Sequence, residues 1–245
     1  MKASGVIVAT LDCVPHAIED WNNWYDLDHL PPNVGLPGIM SGRRYVCTPQ
    51  LHGLRSPGED PWWAASASSF LTIYTLCGDV NDTFGAMVTL RDELDASGRM
   101  FAEDLKVVRG GDGLTLQRMS GRPGLRNRPD ELPLLSHTGV LVIRADDRSY
   151  NDGDHDLLVG ALLKASGCLA VLSYASQVVP GTGLHLALLD GDVVAAARNS
   201  AAAFENLGSN GRFGHSAYEA ITPLDYGWAD ALRTEGLPAT GIPSA

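Results

Sequence analysis

The sequence predicts an α+β protein made of two copies of one β-α-β-β-α-β unit in a single chain. Three observations carry this reading. Short β-branched runs alternate with helical stretches in that order. The second half opens on GVLVIRA at 139–145, an echo of GVIVATL at 5–11. A stretch rich in Pro, Gly and Arg, SGRPGLRNRPDELPLL at 120–135, separates the copies.

In chain order, 5–11 is a strand, set by its β-branched residues. A helix over 16–30 puts Ile18, Asn22, Tyr25 and His29 on one line at 3.6 residues per turn, with Trp21 and Asp28 on its flank. Pro31-Pro32 is expected to stop it, which leaves His29 in a last turn where the helix dipole favours the protonated ring. The strand 39–47 alternates Ser41, Arg43, Tyr45 and Cys47 with Met40, Gly42, Arg44 and Val46. A long loop, 48–65, carries Trp62-Trp63 and reads either as a functional lid or as a surface excursion pinned by the two tryptophans. In the strand 69–76, Phe70, Thr72 and Tyr74 share a side opposite Leu71 and Ile73. A helix over 83–96, capped by Asn81 or Asp82, and a strand within 105–119 complete the first copy.

The second copy reads as strand 139–145, helix 154–165, strands 168–177 and 184–189, helix 193–207 and strand 216–222. The predicted division is 1–119, a linker 120–135, 136–225 and an irregular tail 226–245. The order is the ferredoxin-like split unit. One such sheet leaves a face uncovered, so the two sheets are expected to stack with a pocket between them, lined by Tyr45, Thr72 and Tyr74.

Composition narrows the function. At 245 residues, 44% hydrophobic and 19% charged, the chain is of ordinary globular character. A net charge of -11 argues against nucleic acid as a partner. No apolar run approaches the roughly 20 residues of a membrane span. The first residues lack the form of a signal peptide, so a cytoplasmic protein is expected. Cys13, Cys47, Cys77 and Cys168 lie far apart and form no CxxC pair, which points to reduced, buried thiols rather than zinc. Asp152, Asp154 and Asp156 alternate without the glycine and glutamate of a calcium loop and read as a helix cap. His185 and His215 fall on predicted strands. No metal and no cofactor are expected.

The densest chemistry lies in Trp21-Asn22-Asn23-Trp24-Tyr25-Asp26-Leu27-Asp28-His29-Leu30-Pro31, followed by Leu36-Pro37-Gly38 and Gly42-Arg43-Arg44-Tyr45. This run, over about 19–45, resembles the dimeric α/β-barrel superfamily and is most similar to its ethyl tert-butyl ether degradation (EthD)-like branch. The rest of the chain matches by pattern only. The resemblance implies one barrel from two fused repeats, with His29 lining a pocket near Tyr25 and Arg43 or Arg44. The second copy has no tryptophan pair and no His-Leu-Pro, so one site per chain is expected. The superfamily includes cofactor-free oxygenases, cyclases, lactone isomerases and haem enzymes, and fold alone does not choose among them.

The reading that follows is a lyase or isomerase working by acid-base chemistry on an apolar aromatic or polyketide-like small molecule. His29 is the acid or base. Asp28 or Asp26 orients it, Tyr25 donates to a substrate oxygen, and Arg43 or Arg44 holds a developing enolate. Trp21, Asn22, Trp24, Tyr45, Thr72, Tyr74, Trp62 and Trp63 are the candidate binding residues. Alternatives are oxygenation of a phenol, a haem enzyme with a histidine ligand, and a non-catalytic binder. Edge strands are where two chains would pair as a homodimer.

Overall fold

The computed structural model describes residues 2–56, 68–146, 152–176, 182–205 and 213–235. The first repeat contains β1 (Gly5–Cys13), α1 (Ile18–Trp24), α2 (Leu30–Val34), β2 (Ile39–Val46), α3 (Pro49–His52), β3 (Phe70–Leu76), α4 (Val80–Ala96) and β4 (Lys106–Gly121). The second contains β5 (Gly139–Asp146), α5 (Asp152–Lys164), β6 (Cys168–Ser176), β7 (Thr182–Leu189), α6 (Val193–Glu205) and β8 (Phe213–Ala220). A last helix, α7 (Ala229–Glu235), forms where an irregular tail was expected; buried Ala229 and Leu232 anchor it beside Ile18 and Trp21.

The strands form one closed antiparallel barrel in the order β1-β3-β2-β8-β5-β7-β6-β4. Each repeat contributes four neighbouring strands, which is the ferredoxin-like order. The long strand β4 pairs with β1 through Lys106 to Thr115 and with β6 through Leu114 to Gly121, and so stitches the repeats together on one side. On the other side only Tyr45–Ala220 and Val46–Glu219 join β2 to β8.

The repeats superimpose in detail at two glycines. A Cβ on Gly5 would lie 2.4 Å from the Leu114 carbonyl oxygen, and one on Gly139 would lie 2.5 Å from that of Tyr218. Each glycine also abuts the first valine of the following long helix, Val80 or Val193. The strands can pass this closely only because both positions lack a side chain.

Edge-to-edge closure corrects the expectation of a hollow between stacked sheets. Val6, Val8, Leu71, Ile73, Leu114, Val140, Leu172, Tyr174, Leu186 and Leu188 are buried in one continuous core. A void of about 20 Å³ remains beside Arg43, Tyr45 and His137, room for little more than one water. Eight strands leave an interior just wide enough for side chains to fill. Thr72 and Tyr74 therefore face the helices, and their aliphatic neighbours Leu71 and Ile73 fill the barrel. Of the three residues expected to line the hollow, Tyr45 alone points inward; its hydroxyl lies 2.9 Å from His137 Nε2.

Two local predictions also change. The helix does not stop at the prolines. It widens into a π-turn at Tyr25–His29 and resumes as α2 with Pro31 and Pro32 in its first turn. Proline is tolerated there because its missing N–H has no partner to lose. α4 begins at Val80, and its cap is Asp79, whose carboxylate accepts from the amides of Asn81 and Asp82.

Candidate functional site

A cleft of about 530 Å³ opens between the helices and the outer face of the first repeat's sheet. That volume suits a small organic ligand. Ile7, Ala9 and Leu11 of β1 make its floor, with Tyr74 beside them. The register sets Gly113 opposite Ile7 and Gly111 opposite Ala9, so half of the floor carries no side chains. The end of α1 and the π-turn supply one wall with Trp24, Tyr25 and His29. α4 supplies the other, and Phe84 and Val88 stay exposed at its mouth. π-turns gather at functional sites because the extra residue re-aims side chains.

His29 is wedged between aromatic rings. Trp24 stacks on it at 4.7 Å between ring centres, and Tyr25 meets it edge-on at 4.7 Å. Its Nδ1 is buried without a hydrogen-bond partner among the described residues. Burial first, then the charges of Lys106 and Arg44, lowers its pKa to about 4. The ring is therefore neutral near pH 7, which corrects the expectation that a helix terminus would favour its protonated form.

Three further buried polar atoms of cleft-lining residues lack partners among the described residues: the Tyr74 hydroxyl, the Trp21 indole nitrogen and one carboxylate oxygen of Asp112. Tyr25 differs: its hydroxyl accepts from Thr72 at 3.0 Å. Burial raises the pKa of both tyrosines, so both remain phenols. The two hydroxyls lie close enough that each perturbs the other. Unsatisfied buried polar groups are rare and costly, and four of them around one cleft favour a polar ligand, with oxygen atoms to meet the tyrosine and indole donors.

The other nominated residues lie elsewhere. Arg44 is buried and committed: its guanidinium donates to Asp26 at 2.6 Å, donates to the Asn22 side-chain oxygen, and lies over the Tyr25 ring at 4.3 Å. Asp26 also accepts from Tyr226 at 2.7 Å and from the Leu224 amide at 3.1 Å. Asn22, Asp26 and Arg44 thus form a structural clamp beneath the cleft. Arg43 sits on the barrel side and donates to His137 Nε2 at 3.1 Å. Asp28 faces solvent and pairs with Arg99 at 3.0 Å, away from the imidazole it was expected to orient. Trp62 and Trp63 lie outside the described residues.

Sequence reasoning missed Lys106, Met87, Asn33 and the glycines of β4. The signal for the glycines was present: Gly110-Gly111-Asp112-Gly113 inside a strand marks open space or close approach. Lys106 gave none, since nothing in its neighbours tells that the fold carries it to Trp24.

In the second repeat larger side chains stand at the matching positions. Register equivalence places Ala217 and His215 where Gly113 and Gly111 stand, and Ile143 where Ala9 stands. His185 Nδ1 and His155 Nε2 meet the Ser173 hydroxyl at 2.9 and 3.0 Å. Among the described residues no group of three or more His, Cys, Asp or Glu is placed to hold a metal ion. Burial pushes the thiols of Cys13, Cys47 and Cys168 up, the last to about 12, which leaves them poor nucleophiles. No described helix is long and apolar enough to cross a membrane.

No protein-family model matches the chain, and no curated protein matches it. Solved structures do. A protein assigned as a monooxygenase from Fusobacterium nucleatum aligns at a TM-score of 0.53 and 10% identity, over 90% of this chain and 94% of its own. An anthrone oxidase-like protein aligns at 0.52 and 12%, over 91% and 92%. A dye-decolorizing protein from V. cholerae aligns at 0.53 and 10%, over 91% and 95%. At these identities the likeness is one of fold: a dimeric α/β-barrel, here completed within one chain.

Proposed function

We propose that the chain is a cofactor-independent enzyme that takes a proton from an acidic O–H or C–H of a flat, apolar, oxygen-bearing small molecule held in the cleft. The observation that carries this is His29 Nδ1: neutral, buried in the cleft wall and without a partner among the described residues. A neutral imidazole accepts a proton, and it becomes a stronger base once an anion forms beside it. The Tyr74 hydroxyl and the Trp21 N–H are the donors for the substrate's oxygens. Trp24 fixes the imidazole plane. Lys106 and Arg44 supply positive potential where the enolate or phenolate forms. The EthD-like resemblance of 19–45 agrees with a small-molecule enzyme of this kind.

The anion then isomerises, cyclises or eliminates. The second reading is that it reacts with molecular oxygen. It is supported by two structural neighbours described as a monooxygenase and as an anthrone oxidase-like protein.

Mass spectrometry of small molecules carried through purification identifies the substrate class. Turnover of that compound by His29→Ala is expected to fall about 10²–10⁴-fold with the fold intact by circular dichroism. Undiminished turnover would overturn the assignment. Oxygen uptake during turnover separates the two readings, and a Soret band in the purified chain would replace both with haem chemistry.

A further inference from the structure

We propose that the cleft selects an anionic ligand, with Lys106 as the residue that receives its carboxylate or phenolate oxygen and Glu103 as the counter-ion that the ligand displaces. The inference rests on the reading of the cleft as a ligand site and goes beyond it by naming the charge of the ligand and the residue that reads it.

Lys106 is the first residue of β4 and lines the cleft together with Glu103. Its side chain is only 7% exposed, and its ammonium lies 5.5 Å from the centre of the Trp24 ring that stacks on His29. The partner of this buried cation is Glu103 Oε1 at 2.9 Å, on a side chain that is 84% exposed. A buried ammonium held by a carboxylate that lies mostly in water is unevenly matched. The cation has lost its hydration, whereas its partner keeps most of its own and is easily released. An aromatic acid entering the cleft brings a desolvated oxygen to the same nitrogen and stacks its ring beside Trp24.

Of the other charges near the cleft, Arg44 beneath the wall is buried against Asp26, Arg91 at the mouth pairs with Asp92 in an exposed contact, and Asp112 in the lining keeps one buried carboxylate oxygen without a partner among the described residues. With a net charge of -11 the chain as a whole repels anions, so selection for one requires a local cation. The charge of Lys106 also bears on His29, where it adds to burial in lowering the imidazole's pKa.

Calorimetric titration of the purified full chain with naphthoate and with its neutral isostere naphthamide tests this. Naphthoate is expected to bind roughly tenfold or more tightly, a preference of about 1.4 kcal/mol. Lys106→Met and Lys106→Gln should each erase that preference, and Glu103→Gln should strengthen naphthoate binding several-fold while leaving naphthamide unchanged. Equal affinities in the parent chain, or a preference that survives in both lysine variants, would overturn the anion proposal and leave the His29 reading standing. Failure of both probes to bind would overturn this proposal and the cleft's role as a ligand site together. A His29→Ala chain that keeps its preference for naphthoate but has lost turnover separates selection from chemistry.

Discussion

Arg44 carries its charge in the interior because several groups meet it there. Asp26, the Asn22 side chain and the Tyr25 ring surround a guanidinium whose side chain, like that of Asp26, is 3% exposed. Breaking such a pair from one side strands the other charge, which costs about 3–5 kcal/mol. Asp26→Ala should therefore lower stability by about that amount in urea titrations. The fraction that stays folded should still bind ligand in the cleft, because Asp26 does not line it. A variant of parent stability that had lost binding would instead return Asp26 to the site. His29 behaves in the opposite way, since its lowered pKa serves the chemistry. kcat/KM should therefore show no acid limb near pH 6.5, and a pH-rate profile over the range in which the chain stays folded reads this.

At the scale of elements, the floor of the cleft lies open because a handful of its residues are small. Ala9, Gly111 and Gly113 stand where the second repeat has Ile143, His215 and Ala217. Ala9→Ile copies the second repeat's residue into the cleft floor. The added carbons extend into the cleft from the cluster of Trp21 and Tyr25 against which Ala9 packs, a gain of up to about 2 kcal/mol, so thermal stability should hold or rise while ligand binding is lost. Unimpaired binding would show that the ligand sits elsewhere. Periodicity and turn residues made the strands legible, and with them the repeat. They also placed Tyr25 and His29 on one helix face, since a π-turn shifts that face without dispersing it. The depth of the cleft was not legible, because it depends on which strand residues lie opposite one another. Nor was the side of the sheet on which Tyr74 falls: alternation groups residues by face but does not say which face the helices cover. Arg43 and Arg44 show the same limit, as neighbours in sequence that end on opposite sides of the sheet.

For the molecule as a whole, closure of the barrel buries imidazoles in both halves and at the seam between them. His29, His52 and His137 have pKa values lowered to about 4 and His185 to about 3, in each case chiefly by burial. In an unfolded chain each would titrate near 6.5. Between roughly pH 6.5 and 4 the unfolded chain therefore binds protons that the folded chain refuses, so stability is fully present above 6.5 and falls as the pH is lowered through that window. With about four protons taken up on unfolding near pH 5, the slope approaches roughly 5 kcal/mol per pH unit, enough to consume the stability of an ordinary domain within a unit or two. His137 sits where the repeats meet: its Nδ1 donates to the Leu135 carbonyl at 2.7 Å and its Nε2 accepts from Tyr45 of the first repeat. His52, on α3, approaches the Ser69 hydroxyl at 3.4 Å at the head of β3. Because the four groups span one closed sheet, the barrel should lose both halves in a single transition rather than one repeat at a time. Urea midpoints at pH 7, 6 and 5 should drop steeply over the last unit. Replacing His137 with Gln, which keeps polar atoms but takes up no proton, should flatten that drop by about one proton's worth, roughly 1.4 kcal/mol per pH unit. A midpoint that held steady from pH 7 to 5 would mean that these imidazoles can reach water in the native barrel.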